Sequence, residues 1–270
     1  MTLSNTAAKK SEFFSRGWCQ FDFDARLASW VESALRPAQS AVLAAEHAQW
    51  LRCGGTWFAG VNVLPNAIDG SIGLGPKLSG VAVDFIAEAL GLDGFEWDRA
   101  QVSVCYPSYP KPMDAETEAA FRFRRDRDAA HVDGLLPEGS TRRRFLRELH
   151  GFILAIPMLE CSPKAAPFVV WEGSQQIVRQ AFQAFFDDKP PSDWSSLDIT
   201  EVYHAVRRQV FEQCKRVEIH AKPGEAYLVH RLSLHGMAPW KDSTDETGNA
   251  RMICYFRPGI CEAAQWLNSP

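Results

Sequence analysis

Between residues 129 and 139 the chain reads AAHVDGLLPEG, with an imidazole at His131 and a carboxylate at Asp133 set among small and apolar residues. In an extended strand, residues i and i+2 share a face, with α-carbons about 6.5–7 Å apart. The two side chains can therefore lean toward one metal ion. Gly134 and Pro137 would end the strand just beyond them. Two side chains do not hold an ion by themselves, and His-x-Asp also arises by chance. A third ligand must come from elsewhere in the chain.

The segment PGEAYLVHRLSLHGMAPW (223–240) supplies one. It reads as a strand, a short turn and then His235-Gly236, and Arg251 opens a last strand, ARMICYFRPG (250–259). Two histidines and one carboxylate form the facial triad of non-haem Fe(II) oxygenases, which leaves open positions on the metal. His230 lies five residues before His235, so on a continuous strand it faces the other way and reads as a structural or surface histidine.

Short segments of strand character are needed to carry these residues. AQVSVCYP (100–107), FRFRRDRDAAHVD (121–133), HGFILAIPML (150–159), PFVVWEG (167–173), KRVEIHA (215–221), EAYLVHR (225–231) and ARMICYFRP (250–258) are rich in β-branched and aromatic residues, and Pro, Gly or charge bounds each. Helical spacing appears at 174–186 and 198–214. It appears again at 24–52, where Leu27, Trp30, Val31 and Leu35 recur and Pro37 should break or kink the run, and in VAVDFIAEALGL (81–92). A long irregular connection rich in glycine lies between these last two helices. The expected fold is mainly β with flanking helices: a sandwich or jelly-roll core over 97–258 and a mostly helical N-terminal part, 1–96, packed on it. No linker or internal repeat divides the chain, so residues 1–270 read as a single domain.

The chain has 270 residues, a formal net charge of −4 and 46% hydrophobic residues, a globular balance with enough apolar material for a sizeable core. Mild acidity argues against a nucleic-acid partner. No apolar run reaches the roughly 20 residues of a membrane span, and the N-terminus has no apolar block behind its lysines to make a signal peptide. Seven scattered cysteines (19, 53, 105, 161, 214, 254, 261) form no CxxC pair, which points to a reducing cytoplasm rather than a disulfide framework.

Taken together, Gly224, Glu225, AYLV, RLSLHG with His235, and the later Arg251 resemble the C-terminal segment of the phytanoyl-CoA dioxygenase family, within the Fe(II)/2-oxoglutarate oxygenases. VVWEGSQQI (169–177) stands where that family has its IPGSH turn, and the likeness covers about residues 97–258. Two features depart from the family: the turn lacks the Pro and His, and a polar loop, KDSTDETGN, lengthens the gap from His235 to Arg251. The resemblance implies a double-stranded β-helix (cupin-like) core and Fe(II) held by His131, Asp133 and His235. It implies 2-oxoglutarate on two further metal positions and dioxygen on the last. Decarboxylation to succinate and CO2 would then drive hydroxylation of a small molecule. The presence of Asp133 favours hydroxylation over halogenation, because related halogenases lack this carboxylate. The far carboxylate of 2-oxoglutarate needs a deep cation with a bidentate fork, for which Arg251 is the candidate and Arg257, on the same strand face, the competitor.

Other residues carry weaker signals. Gln101 and Ser103 share one face of an early strand and could meet 2-oxoglutarate. His150 opens a strand, where a satisfied core histidine is the plainer reading. Arginines at 122, 124, 125, 127, 142, 143, 144 and 147 flank the His-x-Asp pair, with acidic residues between them. Such a run is ordinarily a solvated face. If it rims the site, Arg142, Arg143 and Arg144 would bind an anionic substrate such as an organic acid or a phosphorylated or CoA-linked molecule. Two rival readings remain: a metal-binding cupin-like module without turnover, which has no need of Arg251, and a structural jelly roll whose His-x-Asp is accidental.

Overall fold

The computed structural model describes residues 3–91, 95–114, 116–241, 250–260 and 262–269. In chain order the elements are α1 (Leu3–Arg16), β1 (Trp18–Phe21), α2 (Ala25–Leu43), β2 (Leu51–Arg52), β3 (Trp57–Gly60), α3 (Val81–Leu90), β4 (Gln101–Cys105), α4 (Glu118–Asp126), β5 (Leu135–Glu138), β6 (Arg143–Leu146), β7 (Phe152–Pro157), β8 (Phe168–Trp171), α5 (Ser174–Phe186), α6 (Thr200–Gln213), β9 (Arg216–Ile219), β10 (Ala226–His230), β11 (His235–Met237), β12 (Arg251–Phe256) and α7 (Ala263–Asn268). The architecture is mainly antiparallel sheet with helices on its outer faces.

One sheet has seven strands in the order β1-β10-β7-β12-β4-β3-β2, and a second has three, β11-β8-β9. Strands β4, β7, β10 and β12 fall where short β-branched runs predict them, as do β8 and β9. Strands β7, β10 and β12 are buried throughout because both faces of the large sheet are covered. Alternation sorts their side chains. Phe152, Leu154, Ile156, Leu228, Cys254 and Phe256 point outward into a core shared with Phe13, Leu27, Trp30 and Phe85 of the N-terminal helices. Ile153, Ala155, Tyr227, Val229, Ile253 and Tyr255 point inward to meet Phe168 and Val170 of the small sheet. On the far side of that sheet Val169 and Trp171 pack against Val178 and Phe182 of α5 and Tyr203 and Val206 of α6.

Three sequence expectations need correction. The segment 121–133 is not a strand: α4 occupies Glu118–Asp126. Thr117 caps it by accepting a hydrogen bond from Ala120 N at 3.2 Å, and the Phe/Arg alternation is satisfied by helical neighbours, with the Arg125 guanidinium 5.7 Å over the Phe121 ring. Pro37 does not end α2, which runs from 25 to 43. Buried Leu27, Trp30, Val31, Ala34, Ala38 and Ala41 hold one face of that helix against the core on both sides of the proline. Within residues 1–96 strands interrupt the helices, since β1, β2 and β3 all join the large sheet. The polar loop before Arg251 lies outside the described residues over 242–249. Among the described residues no helix is long and apolar enough to cross a membrane.

Candidate metal centre

After α4 the chain passes through two left-handed residues, Asp128 and Ala129 (φ 55° and 52°), and delivers His131 to the end of the small sheet. The Asp128 carboxylate is buried and accepts both arms of the Arg216 guanidinium, at 2.7 and 2.9 Å. Its carbonyl accepts Met237 N at 2.8 Å. His131 then pairs through its own backbone with His235, N–H to O at 2.8 Å one way and 3.0 Å the other. Gly236 allows this close approach, and Gly134 a second one, to the backbone of Glu148. A Cβ on Gly236 would stand 2.1 Å from Asp128 O, and one on Gly134 (φ 82°) 2.1 Å from Glu148 O. The side chains meet because the two backbones form a bridge, not because 131 and 133 lie on one long strand.

One ligand atom from each of His131, Asp133 and His235 lies within 4.8 Å of the other two. His131 Nε2 is 3.2 Å from Asp133 Oδ1, and His235 Nε2 is 3.5 Å from the same oxygen. Donors about 2.1 Å from one ion and at right angles stand about 3 Å apart, so the set has room for a small divalent cation. Each imidazole also has Nδ1 2.9 Å from a carbonyl two residues back, Ala129 O for His131 and Ser233 O for His235. A carbonyl only accepts, so each Nδ1 carries the hydrogen and each Nε2 keeps its lone pair for a metal. The His235 ring stacks on Phe168, 11° from parallel with centroids 5.4 Å apart. Burial opposes ionisation of Asp133. The Arg257 guanidinium outweighs it and holds the carboxyl well below the usual range.

A cavity of about 230 Å³ opens beside the three residues, lined also by Trp57, Gln101, Ser103, Tyr109, Met237, Tyr255 and Arg257. Arg257 Nη2 donates to Gln101 Oε1 at 2.6 Å, and Nη1 stands 3.4 Å from Asp133 Oδ2. Ser103 Oγ accepts Trp57 Nε1 at 3.1 Å. Arg251 lies deeper, behind the cavity wall. It is only 4% exposed, donates to Tyr255 Oη at 3.1 Å and approaches Met237 Sδ at 3.5 Å. Among the described residues no carboxylate forms an ion pair with it. His230 is buried away from the cavity, where its Nδ1 accepts Leu232 N and its Nε2 lies against Arg179 Nη2, both at 3.0 Å. His150 is occupied by Arg257 O and Glu148.

The three flanking arginines separate. Arg143 is tied to Asp198 and Glu201 on the outer face. Arg142 and Arg144 line a second, open bay, which also reaches His131.

No protein-family model and no curated protein matches the chain. Among solved structures it is similar to the epimerase SnoN in complex with Fe3+, alpha ketoglutarate and nogalamycin RO, at 11% identity and TM-score 0.49 over 94% of this chain and 84% of that one. It is also similar to SnoK, a non-heme alpha ketoglutarate dependent carbocyclase from nogalamycin biosynthesis, at 12% identity and TM-score 0.47 over 94% and 87%. EctD from S. alaskensis with bound Fe is similar at 14% identity and TM-score 0.44 over 93% and 76%. Likeness at this level fixes neither ligands nor reaction.

Sequence reasoning missed several residues of the site. Tyr255 was within reach of it, since 251, 253, 255 and 257 share one face of β12. The Asp128–Arg216 pair carried no signal, because nothing along the chain sets Asp128 apart from Asp126 two residues earlier.

Proposed function

We propose that the chain is an Fe(II)/2-oxoglutarate-dependent oxygenase that hydroxylates a small molecule. The observation that carries this reading is the convergence of two Nε2 lone pairs and one charged carboxylate on a single point at the cavity wall. That donor set suits Fe(II) and leaves half the coordination sphere free. The strand order supports it, since the His131–His235 bridge continues the small sheet as 131-β11-β8-β9, opposite β4-β12-β7-β10. This is the alternation of a double-stranded β-helix, and residues 1–96 add helices and edge strands to the same body.

In this reading His131, Asp133 and His235 hold the iron, and 2-oxoglutarate sits in the 230 Å³ cavity. Bound together, the two would supply the oxidising chemistry, in which O2 is consumed and succinate, CO2 and a hydroxylated substrate are the products. Arg251 is the seat for the far carboxylate of 2-oxoglutarate. It is a buried cation that lacks a counter-charge among the described residues, and Tyr255 Oη beside it gives a second donor. Arg257 has a different task, since it already pairs with Asp133 and Gln101 and keeps that carboxylate ionised. Trp57, Tyr109 and Phe168 keep water from the cavity walls.

The test is succinate release from 2-oxoglutarate by Fe(II)-loaded protein, screened against a metabolite library, with His235→Ala as control. Succinate that depends on both iron and His235 supports the proposal. Iron uptake without 2-oxoglutarate binding would replace it with a metal-binding module that performs no turnover.

A further inference from the structure

Two cavities meet at the candidate metal centre, and they share Ala129 and His131 as a common wall. The first lies between the sheets. The second is a bay of about 560 Å³ between α4, the β5–β6 hairpin and α6. The His131 side chain is 47% exposed, in contrast to 5% for His235, so the centre is open on the His131 side. If 2-oxoglutarate fills the first cavity, the bay is the route by which a second molecule reaches the metal.

The bay is a concentration of unpaired positive charge. Arg142, Arg144 and Arg207 line it, and among the described residues none of the three forms an ion pair. Of the acids on its wall, Glu116 is taken by Arg124, which leaves Asp114 at the exposed end. Two of the guanidiniums are also held in place. Arg207 lies between aromatic rings, its Cζ 4.7 Å over Phe123 and 4.9 Å over Tyr203, and its buried Nε has no hydrogen-bond partner. Arg144 donates to Leu135 O at 3.0 Å and lies 5.6 Å from the Tyr203 ring centre. Burial lowers the Arg144 pKa, and the neighbouring Arg207 and Arg142 charges lower it further, as expected of cations gathered without a counter-ion. Fixed planar forks are suited to grip a carboxylate or a phosphate, and they lose little freedom in doing so.

We propose that the bay is the substrate site and that the substrate carries a carboxylate or phosphate group held by Arg142, Arg144 and Arg207, with the reacting carbon turned toward His131. This rests on the oxygenase reading and adds the substrate class to it. Arg143 takes no part, because its guanidinium is already paired with Asp198 and Glu201 outside the bay.

The test uses two probes, phenyl phosphate and phenylacetate, titrated into the full-length protein and followed by NMR of the probe's ring protons. At least one should bind saturably, and Arg144→Gln and Arg207→Gln should each weaken it tenfold or more. Arg207→Lys, which keeps the charge but loses the planar fork, should bind more tightly than Arg207→Gln and more weakly than the unaltered protein. Arg143→Gln and Arg251→Ala should leave it within twofold, which separates this bay from the 2-oxoglutarate seat. Thermal melting of each variant distinguishes lost binding from lost folding. In protein loaded with Mn(II), the ring protons of the bound probe should broaden. Absence of saturable binding by both probes, equal weakening by Arg143→Gln, or binding without broadening would overturn the proposal. Failure of Mn(II) to load would instead sink the metal reading, while the titration of metal-free protein still decides whether the bay takes anions.

Discussion

At the scale of single residues, the proposed ligands differ from the nearby histidine in what their second nitrogen touches. His131 and His235 have Nδ1 tied to a carbonyl and Nε2 turned toward Asp133 at the cavity wall, whereas both ring nitrogens of His230 are engaged away from the cavity. Anaerobic titration with Fe(II) should therefore show stoichiometric binding lost in His131→Ala, Asp133→Ala and His235→Ala and retained in His230→Ala. The reverse order for the two late histidines would mean that the ligand is misassigned. Gly236 is a second residue-scale case. Its place against Asp128 O leaves no room for a methyl group, so Gly236→Ala should cost more than about 2 kcal/mol in chemical denaturation, because backbone must move to admit it. That His131, Asp133 and His235 come together was legible because their chemistry is in their identity. The depth of the two arginines was not: parity places 251 and 257 on one face of β12, and only the packed structure puts one behind Tyr255 and the other beside Asp133.

At the scale of elements, β12 opens on Arg251, behind the cavity wall, and is followed directly by Arg257, which lines the cavity. Arg251→Ala should weaken 2-oxoglutarate binding at least tenfold while Fe(II) still binds, since a charge-assisted pair is lost and no metal donor is. Arg257→Ala should affect 2-oxoglutarate less. The absorption band of the Fe(II)–oxoglutarate chelate measures both, and its loss in Arg257→Ala alone would move the anchor. Strands with both faces covered were easy to read, since β7 is a continuous apolar run and β10 and β12 are apolar apart from His230 and Arg251 at their ends. The short ones were hard. Four residues of β1, WCQF, show no decisive period, and what makes them a strand is pairing with β10 more than two hundred residues away, Trp18 opposite Val229. Helix α4 misled for the opposite reason, because an alternation of Phe and Arg satisfies both periods and the Thr117 cap decides between them.

At the scale of the whole molecule, stability should carry the mark of a half-buried acid outside the proposed ligand set, Asp98, which accepts Arg257 N. Burial raises the Asp98 pKa to about 6, against the pull of the Arg257 backbone N–H and guanidinium. A carboxyl whose pKa is raised by folding favours the native state when protonated. That contribution is present in full below the ordinary carboxylate range and is lost as pH rises through about 6, at a cost of up to about 3 kcal/mol. Asp98→Asn keeps an oxygen for Arg257 N and should raise stability at pH 7, with no gain at pH 4. Urea midpoints at the two pH values measure this, and an equal shift at both would rule out the acid as the cause.

The bridge between His131 and His235 joins points about a hundred residues apart along the chain. An ion held there would act as a clasp on a long loop, and the entropy of closing that loop must be met before the clasp can form. The site should therefore assemble late in folding and be among the first parts to open. A metal bound at a hundred times its dissociation constant adds about 2.7 kcal/mol to the native state, most of it as slower opening if the clasp is absent from the transition state. Stripping the ion with a chelator should lower the melting temperature by several degrees. It should also shorten the lifetime of the chain under protease attack, with the first cuts falling between the two halves of the clasp.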